Sequence, residues 1–410
     1  MNYNGQIAAA IEAVVNAGYL AGATTLIWRG GEVVQRACVG LRDREAGLPI
    51  EQDTIFRIAS MTKPITSVVA LTMVEEGRFA LSDPISRWAP EFSSMRVLRS
   101  PTASLHQTDL ADRQISFEDL LTHRAGFTYG SFHTGPIARA YADALGGDID
   151  SEVAPDDWIA RLATLPLIDQ PGAAFHYGHS TDLLGLLIAR IEGAPLGDVL
   201  KRRLFDPLGM TDTGFVVPPE KRDRRSKAYG FDAEGGLTAR LTCPGGATVP
   251  ERPDDMEFVS GGQGLWSTID DYLAFTRLFI GGGAVDNVRI LRPDTLAMLT
   301  TNYLSKGQRE TAEVGGARLF QEGLGFGLGV AVVLDARRAE PTICGGGEGA
   351  VGWPGSYGGW WSADVQDGSV MIFLAQNMIE LDQLSQGIGF GVYEAISQFQ
   401  ALGSLKSEAK

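Results

Sequence analysis

The sequence predicts an α+β protein whose sheet is assembled from the two ends of the chain, with a mostly helical lobe inserted beside it. Three observations carry this. Strand-like apolar runs lie near the start, at 23–28 and 33–39. Others lie near the end, at 327–334, 358–363 and 370–376. Between them the apolar residues recur at helical spacing. Strands gathered at both termini, rather than alternating with helices, argue against a repeated βαβ plan. The expected division is a sheet region from 1–80 and 255–410, carrying Ser60 and a Trp-Pro-Gly segment, and a helical lobe from 81–254 carrying Tyr177.

Each element has its own signal. Ile7, Ile11, Val14 and Val15 mark a first helix. Gly30 and Gly31 separate the first two strands and suit a hairpin turn. From 60 to 77, Ile65, Val68, Val69, Leu71 and Met73 form a helical stripe, with Gly77 as its stop. Ser116 and Asp119 form a capping-box pattern at the head of 116–122. Helices are expected at 137–145, 155–164, 182–192 and 196–204. A long irregular connection follows at 216–262, its basic run 221–227 read as a solvated loop. Further helices are expected at 270–280 and 384–399.

Composition excludes several functions. A chain of 410 residues, 44% hydrophobic and 21% charged, is not intrinsically disordered. Its 35 basic and 50 acidic residues leave a net charge of −15, which repels nucleic-acid phosphates and anionic membranes. Cys38, Cys243 and Cys344 are an odd, scattered set, expected to be buried or half-buried thiols in a reducing compartment. The first basic residue is Arg29 and Glu12 interrupts the early apolar stretch, so no secretory signal is expected. No apolar run is long enough to span a bilayer. The expected setting is the cytoplasm, with no membrane partner; the sequence leaves the oligomeric state open.

Metal and nucleotide sites are not expected. His106, His123, His133, His176 and His179 form no HExxH, and no Cys/His pair has zinc spacing. No GxxxxGK[ST] occurs. No serine has glycine on both sides at the spacing of a nucleophile elbow. What remains is Ser60-Met61-Thr62-Lys63 at a helix start. Residues three apart share a helical face, which sets the amine beside the hydroxyl. A helix N-terminus favours developing negative charge. A lysine relieved of its proton by burial and neighbours can take the serine proton. On an exposed helix the same pattern would be only a solvated lysine.

The context of that pattern is specific. Phe56-Arg57-Ile58-Ala59-Ser60-Met61-Thr62-Lys63-Pro64 resembles the nucleophile segment of the serine β-lactamase and penicillin-binding-protein superfamily. Leu120-Leu121-Thr122-His123-Arg124-Ala125-Gly126 resembles the LLTHxSG segment of its class C branch. Tyr177-Gly178-His179-Ser180, followed by Asp182-Leu183-Leu184-Gly185, is similar to the YSxxxDxLG segment of the family VIII carboxylesterases. Pro207-Leu208-Gly209-Met210 and Ser260-Gly261-Gly262-Gln263-Gly264-Leu265-Trp266-Ser267-Thr268 resemble two further segments of that branch. Gly352-Trp353-Pro354-Gly355-Ser356-Tyr357-Gly358 resembles the WGGxYG that stands in those esterases in place of KTG.

The resemblance implies a β-lactamase/transpeptidase-like fold, with an antiparallel sheet from both termini flanked by helices. It implies an ester hydrolase acting on a small molecule without a cofactor. Ser60 would be the nucleophile, with Lys63 and Tyr177 sharing general acid and base work. The backbone N–H groups of Ser60 and Ser356 would hold the oxyanion. Tyr129, His179, Trp353 and Gly355 would contact substrate. His123 is expected to be a buried, hydrogen-bonded structural histidine.

The sequence departs from the family pattern at four positions. Gly178 replaces Ser, and Pro354 replaces glycine. His179 stands where β-lactamases carry Asn, and Trp353 where they carry Lys or His. The last two favour neutral esters over β-lactams, since Trp353 offers an apolar face and no charge; short chains are expected because several long loops are expected to cap the pocket. A β-lactamase, a D-amino-acid peptidase or an acyltransferase using the same residues remain the alternatives.

Overall fold

The computed structural model describes residues 3–240, 256–314, 316–378, 380, 383 and 386–404. The first hairpin forms as expected: β1 (Gly22–Arg29) pairs antiparallel with β2 (Glu32–Asp43), Ala23 opposite Val39, and β3 (Leu48–Pro49) closes that edge. The other half of the sheet comes from the end of the chain. Its strands are β4 (Leu324–Phe326), β5 (Ala331–Val333), β6 (Val351–Gly352), β7 (Trp360–Asp364) and β8 (Ser369–Ala375). The order is β4-β5-β6-β7-β8-β1-β2-β3, every neighbour antiparallel. The two termini join where β8 meets β1, with Thr25 opposite Phe373.

Helices cover both faces, so the central strands are buried on both sides and read as unbroken apolar runs. Adjacent residues of β1 point to opposite layers. Ile27 packs with Ile7 and Ile11 of α1 (Tyr3–Asn16). Leu26 belongs to the main core, with Ile65 and Val68 of α2 (Thr62–Glu75). In that core the Trp361 ring of β7 lies 5.2 Å from Phe279. Between β3 and the last strands the chain is largely helical. It includes α3 (Phe117–Leu121), capped by the expected Ser116–Asp119 box, α4 (Pro136–Leu145), α5 (Pro155–Thr164), α6 (Ser180–Glu192) and α7 (Leu196–Leu200). Phe279 lies on α8 (Ile269–Ile280), and α9 (Phe390–Gly403) packs beside α1 through Ile396 and Phe399. No helix of the described residues is long and apolar enough to cross a membrane.

Five expectations are corrected. The single strand expected at 327–334 is only partly strand: 327–330 form the turn of a hairpin that joins β4, upstream of it, to β5. A side chain on Gly329, at φ +94°, would meet Ser67 Oγ at 2.1 Å, so the turn presses on α2. Within the supposed irregular connection, Tyr229–Phe231 and Leu237–Ala239 pair as a short hairpin; 241–255 lie outside the described residues, with Cys243 among them. Nor is the basic run simply solvated: Arg224 bridges Asp212 and Asp53, and Lys227 reaches Glu45 at 2.8 Å. Cys38 is exposed on β2, while Cys344 is buried as expected. The last helix, expected from 384, runs from Phe390, directly after Gly389 at φ +92°, which cannot be a helical residue; 384 and 385 lie outside the described residues.

Candidate active site

Ser60 occupies a tight 3₁₀ turn, Ala59–Met61, that feeds α2. Ala59 is held at φ +43°, a left-handed conformation unfavourable for a residue with a Cβ. Such strain persists only where the surroundings impose it. Here the two-residue strand Phe56–Arg57 is paired with Trp266–Ser267, and the Tyr272 hydroxyl donates to Met61 O at 2.9 Å. Lys63, one turn on, is fully buried. Its Nζ donates to Ser60 Oγ at 3.2 Å, to the Tyr129 hydroxyl at 3.3 Å and to Gly262 O at 3.1 Å. The spacing of three residues therefore does place amine and hydroxyl together. Among the described residues no carboxylate lies in ion-pair range of this amine.

The segment 260–265 reaches Lys63 because it is stapled to α2: Thr66 Oγ1 donates to Gly261 O at 2.6 Å, and Leu265 N to Thr62 Oγ1 at 3.2 Å. From the other side comes Tyr177. Lys63 Nζ sits 4.5 Å from the centre of its ring, a cation–π contact, and the Tyr177 oxygen accepts from Trp353 Nε1 at 2.9 Å. The two tyrosines differ. The Tyr129 hydroxyl contacts the amine, whereas Tyr177 presents its ring to it. Burial, then the charge of Asp182, pushes the Tyr129 phenol well above its usual range, so it stays protonated.

Gly178, the departure from Ser, has a steric cause. A Cβ there would lie 2.3 Å from Thr128 Cα, so the Tyr177 segment can lie against the Tyr129 segment only as glycine. Gly355 is equally confined: a Cβ would meet Ile58 O at 2.5 Å, which sets Gly355 and Ser356 against the turn that bears Ser60. The Ser356 hydroxyl is buried with no partner among the described residues.

Ser60, Tyr129, Tyr177, Trp353, Gly355 and Ser356 all open onto one cavity of about 620 Å³. Phe132, Val314 and Leu319 give it apolar walls. A larger cleft of about 1220 Å³, between Leu186 of α6 and Phe215, contains none of these groups. His179, expected as a substrate contact, is not on the cavity wall. It is buried behind Tyr129, its ring centre 4.6 Å from that of Tyr129, and its Nδ1 lies 3.0 Å from Asp182 Oδ2. His123 is buried as expected, but among the described residues only Nε2 finds a partner, Thr181 Oγ1 at 3.4 Å, and Nδ1 finds none. Burial, with Lys63 nearby, keeps the His123 imidazole neutral.

Two groups were missed from sequence. Asp182 lies inside the Tyr177 segment but was given no role. It accepts from Ser260 Oγ, from Gly262 N at 3.0 Å and from the Tyr129 hydroxyl at 3.5 Å. Asp148 sits in a glycine- and aspartate-rich loop whose pattern signals nothing beyond a turn.

A serine in a strained turn beside a buried lysine, at the head of a helix over an antiparallel sheet joined from both termini, defines the β-lactamase-like class of active-serine folds. The beta-lactamase family model matches residues 7–385, and the chain belongs to that family. Protein Rv1367c of Mycobacterium tuberculosis (strain H37Rv) is 42% identical, the match covering 93% of this chain and 92% of the relative. Esterase EstB of Burkholderia gladioli is 31% identical over 88% of this chain and 87% of its own. The solved structure of EstCE1, "a hydrolase with promiscuous acyltransferase activity", superposes with a TM-score of 0.78 at 25% identity, covering 97% of this chain and 98% of that one. The resemblance to family VIII carboxylesterases is borne out by these relatives.

Proposed function

We propose that this protein is a serine carboxylesterase that cleaves neutral, short-chain esters through an acyl-enzyme on Ser60. The observation that carries the reading is the Lys63 amine: fully buried, 3.2 Å from Ser60 Oγ, and hydrogen-bonded to neutral oxygens. An amine held at hydrogen-bond distance from the serine hydroxyl, with its other partners neutral oxygens, is placed to accept the serine proton.

Lys63 takes the Ser60 proton as Oγ attacks the ester carbonyl. The N–H groups of Ser60 and Ser356 receive the oxyanion. The proton then passes to the leaving alcohol, with Tyr177 as the last donor. Water enters, is deprotonated by the same groups, and releases the acid. Each step uses groups of the chain itself. Trp353 and the apolar walls favour uncharged acyl and alcohol groups, since each buried CH₂ contributes about 0.8 kcal/mol. The free thiols Cys38 and Cys344 support a reducing, cytoplasmic setting. A second reading has support: EstCE1 is a hydrolase with promiscuous acyltransferase activity, and in such a transfer an alcohol replaces water as acceptor.

The test compares kcat/KM for p-nitrophenyl acetate and butyrate with that for a chromogenic cephalosporin and a D-alanyl peptide. The esters are expected to lead by a wide margin. Preference for the cephalosporin would make this a β-lactamase instead.

A further inference from the structure

Behind Tyr129 stands a row of ionisable side chains that the reaction above does not use. Asp148, on the loop after α4, lines the cavity; its side chain is 14% exposed. His179, the residue before α6, is buried between Asp148 and Asp182: Nε2 lies 3.5 Å from Asp148 Oδ1, and Nδ1 lies 3.0 Å from Asp182 Oδ2. The first of these is an ion-pair contact without hydrogen-bond alignment, the second a hydrogen bond.

Asp182 is coupled to Lys63 by two short arms. One is the Tyr129 hydroxyl, which donates to Asp182 and accepts from Lys63. The other is Gly262, whose N–H donates to Asp182 while its C=O accepts from Lys63.

The remaining neighbours of His179 add no charge. Tyr141 of α4 stacks on it at 5.8 Å, Trp158 of α5 meets it edge-on at 5.5 Å, and burial keeps both the Tyr129 and Tyr141 phenols protonated. Burial alone would drive the His179 proton off. The contacts with the Asp148 and Asp182 carboxylates outweigh it and lift the imidazole to about 8.

We propose that Asp148 and His179 are positioning residues of the proton-transfer site: the imidazole, set between the two carboxylates, offsets the field that they would otherwise impose on Lys63, and so keeps that amine able to act as the base. This rests on the reading of Lys63 as the base. With His179 charged, the row carries one net negative charge. With His179 uncharged and both aspartates in place it carries two, and Lys63 holds its proton more tightly. Removing the Asp148 charge instead leaves at most one, whether or not His179 keeps its proton. The two substitutions therefore act differently on the same amine.

The experiment is the pH profile of kcat/KM for p-nitrophenyl butyrate in wild type, His179→Gln and Asp148→Asn. In His179→Gln the acidic limb is expected to move up by roughly one pH unit, with activity recovering as pH rises, since loss of a neighbouring charge moves a titration by about 1–3 units. In Asp148→Asn the limb stays or moves down, and NMR of the histidine Cε1–H resonances shows His179 losing its proton at lower pH than in wild type. An unmoved limb in His179→Gln, a loss equal at every pH, an upward shift in Asp148→Asn, or an unchanged His179 titration would overturn the proposal. Fluorophosphonate labelling in wild type separates this from the reading beneath it: absence of the label on Ser60 refutes the nucleophile itself, whereas labelled Ser60 with an unmoved limb refutes only the row.

Discussion

The indole Nε1 of Trp353 donates to the phenol oxygen of Tyr177 at 2.9 Å. Trp353 therefore does more than replace a cation. It fixes the ring whose face covers Lys63 and leaves the phenol's own proton free to be donated.

Trp353→Phe keeps an aromatic wall and removes that donor. It should lower kcat for p-nitrophenyl butyrate by roughly 10-fold, the value of one hydrogen bond, with little change in KM. Steady-state kinetics decides; an unchanged kcat would deny the bond any part in proton transfer. Trp353→Lys should narrow the gap between ester and cephalosporin by offering a carboxylate partner.

The two tyrosines should separate. Lys63→Ala and Tyr177→Phe should each lose roughly 10²–10⁴-fold in kcat, as general acid–base groups do. Tyr129→Phe removes only a hydrogen bond to the amine and should cost roughly 10- to 100-fold. If Lys63 and Tyr177 act as one unit, their double variant should lose far less than the product of the single losses. Near-full activity in Tyr177→Phe, with a deep loss in Tyr129→Phe, would exchange their roles.

Gly178→Ala should destabilise the fold. The new methyl would collide with the Thr128 backbone, and overpacking of this kind costs about 1–3 kcal/mol. Urea denaturation measures it. A midpoint equal to wild type would show that the Tyr177 segment yields without strain.

The stability of the fold should depend on pH through His179. Its folded-state value, about 8, lies above the ordinary 6.5, so the native state holds this proton more tightly than the unfolded chain. The contribution is full below pH 6.5 and disappears as pH rises through 8. Between pH 6.5 and 9 the thermal midpoint should therefore fall further in wild type than in His179→Gln. Parallel curves would mean that the imidazole is neutral in the folded protein.

Much of this site was legible because its parts are local. The three-residue spacing of Ser60 and Lys63 becomes a 3.2 Å contact on one helical face. The ordered segments around Tyr177, Gly262 and Trp353 all reach the same cavity wall or amine. What sequence could not show was long-range. The Tyr129–Lys63 bond spans 66 positions, and Asp148 meets His179 only because the loop after α4 folds against the residue that precedes α6. His179 looked like a substrate contact because its segment borders the site, but the turn into α6 points it inward. The turn within the expected strand 327–334 was hidden for a related reason: the apolar run is continuous in sequence, and the close approach of Gly329 to Ser67 of α2 is visible only in the fold.

The central claim is that Ser60 carries the acyl group. Wild-type protein quenched in acid during turnover of p-nitrophenyl butyrate, digested with trypsin and analysed by mass spectrometry, should yield peptide 58–78 heavier by one butyryl group. Fragmentation should place the addition on Ser60, and Ser60→Ala should fold normally, show no adduct and no turnover. An acyl group on any other residue, or turnover persisting in Ser60→Ala, would contradict the account.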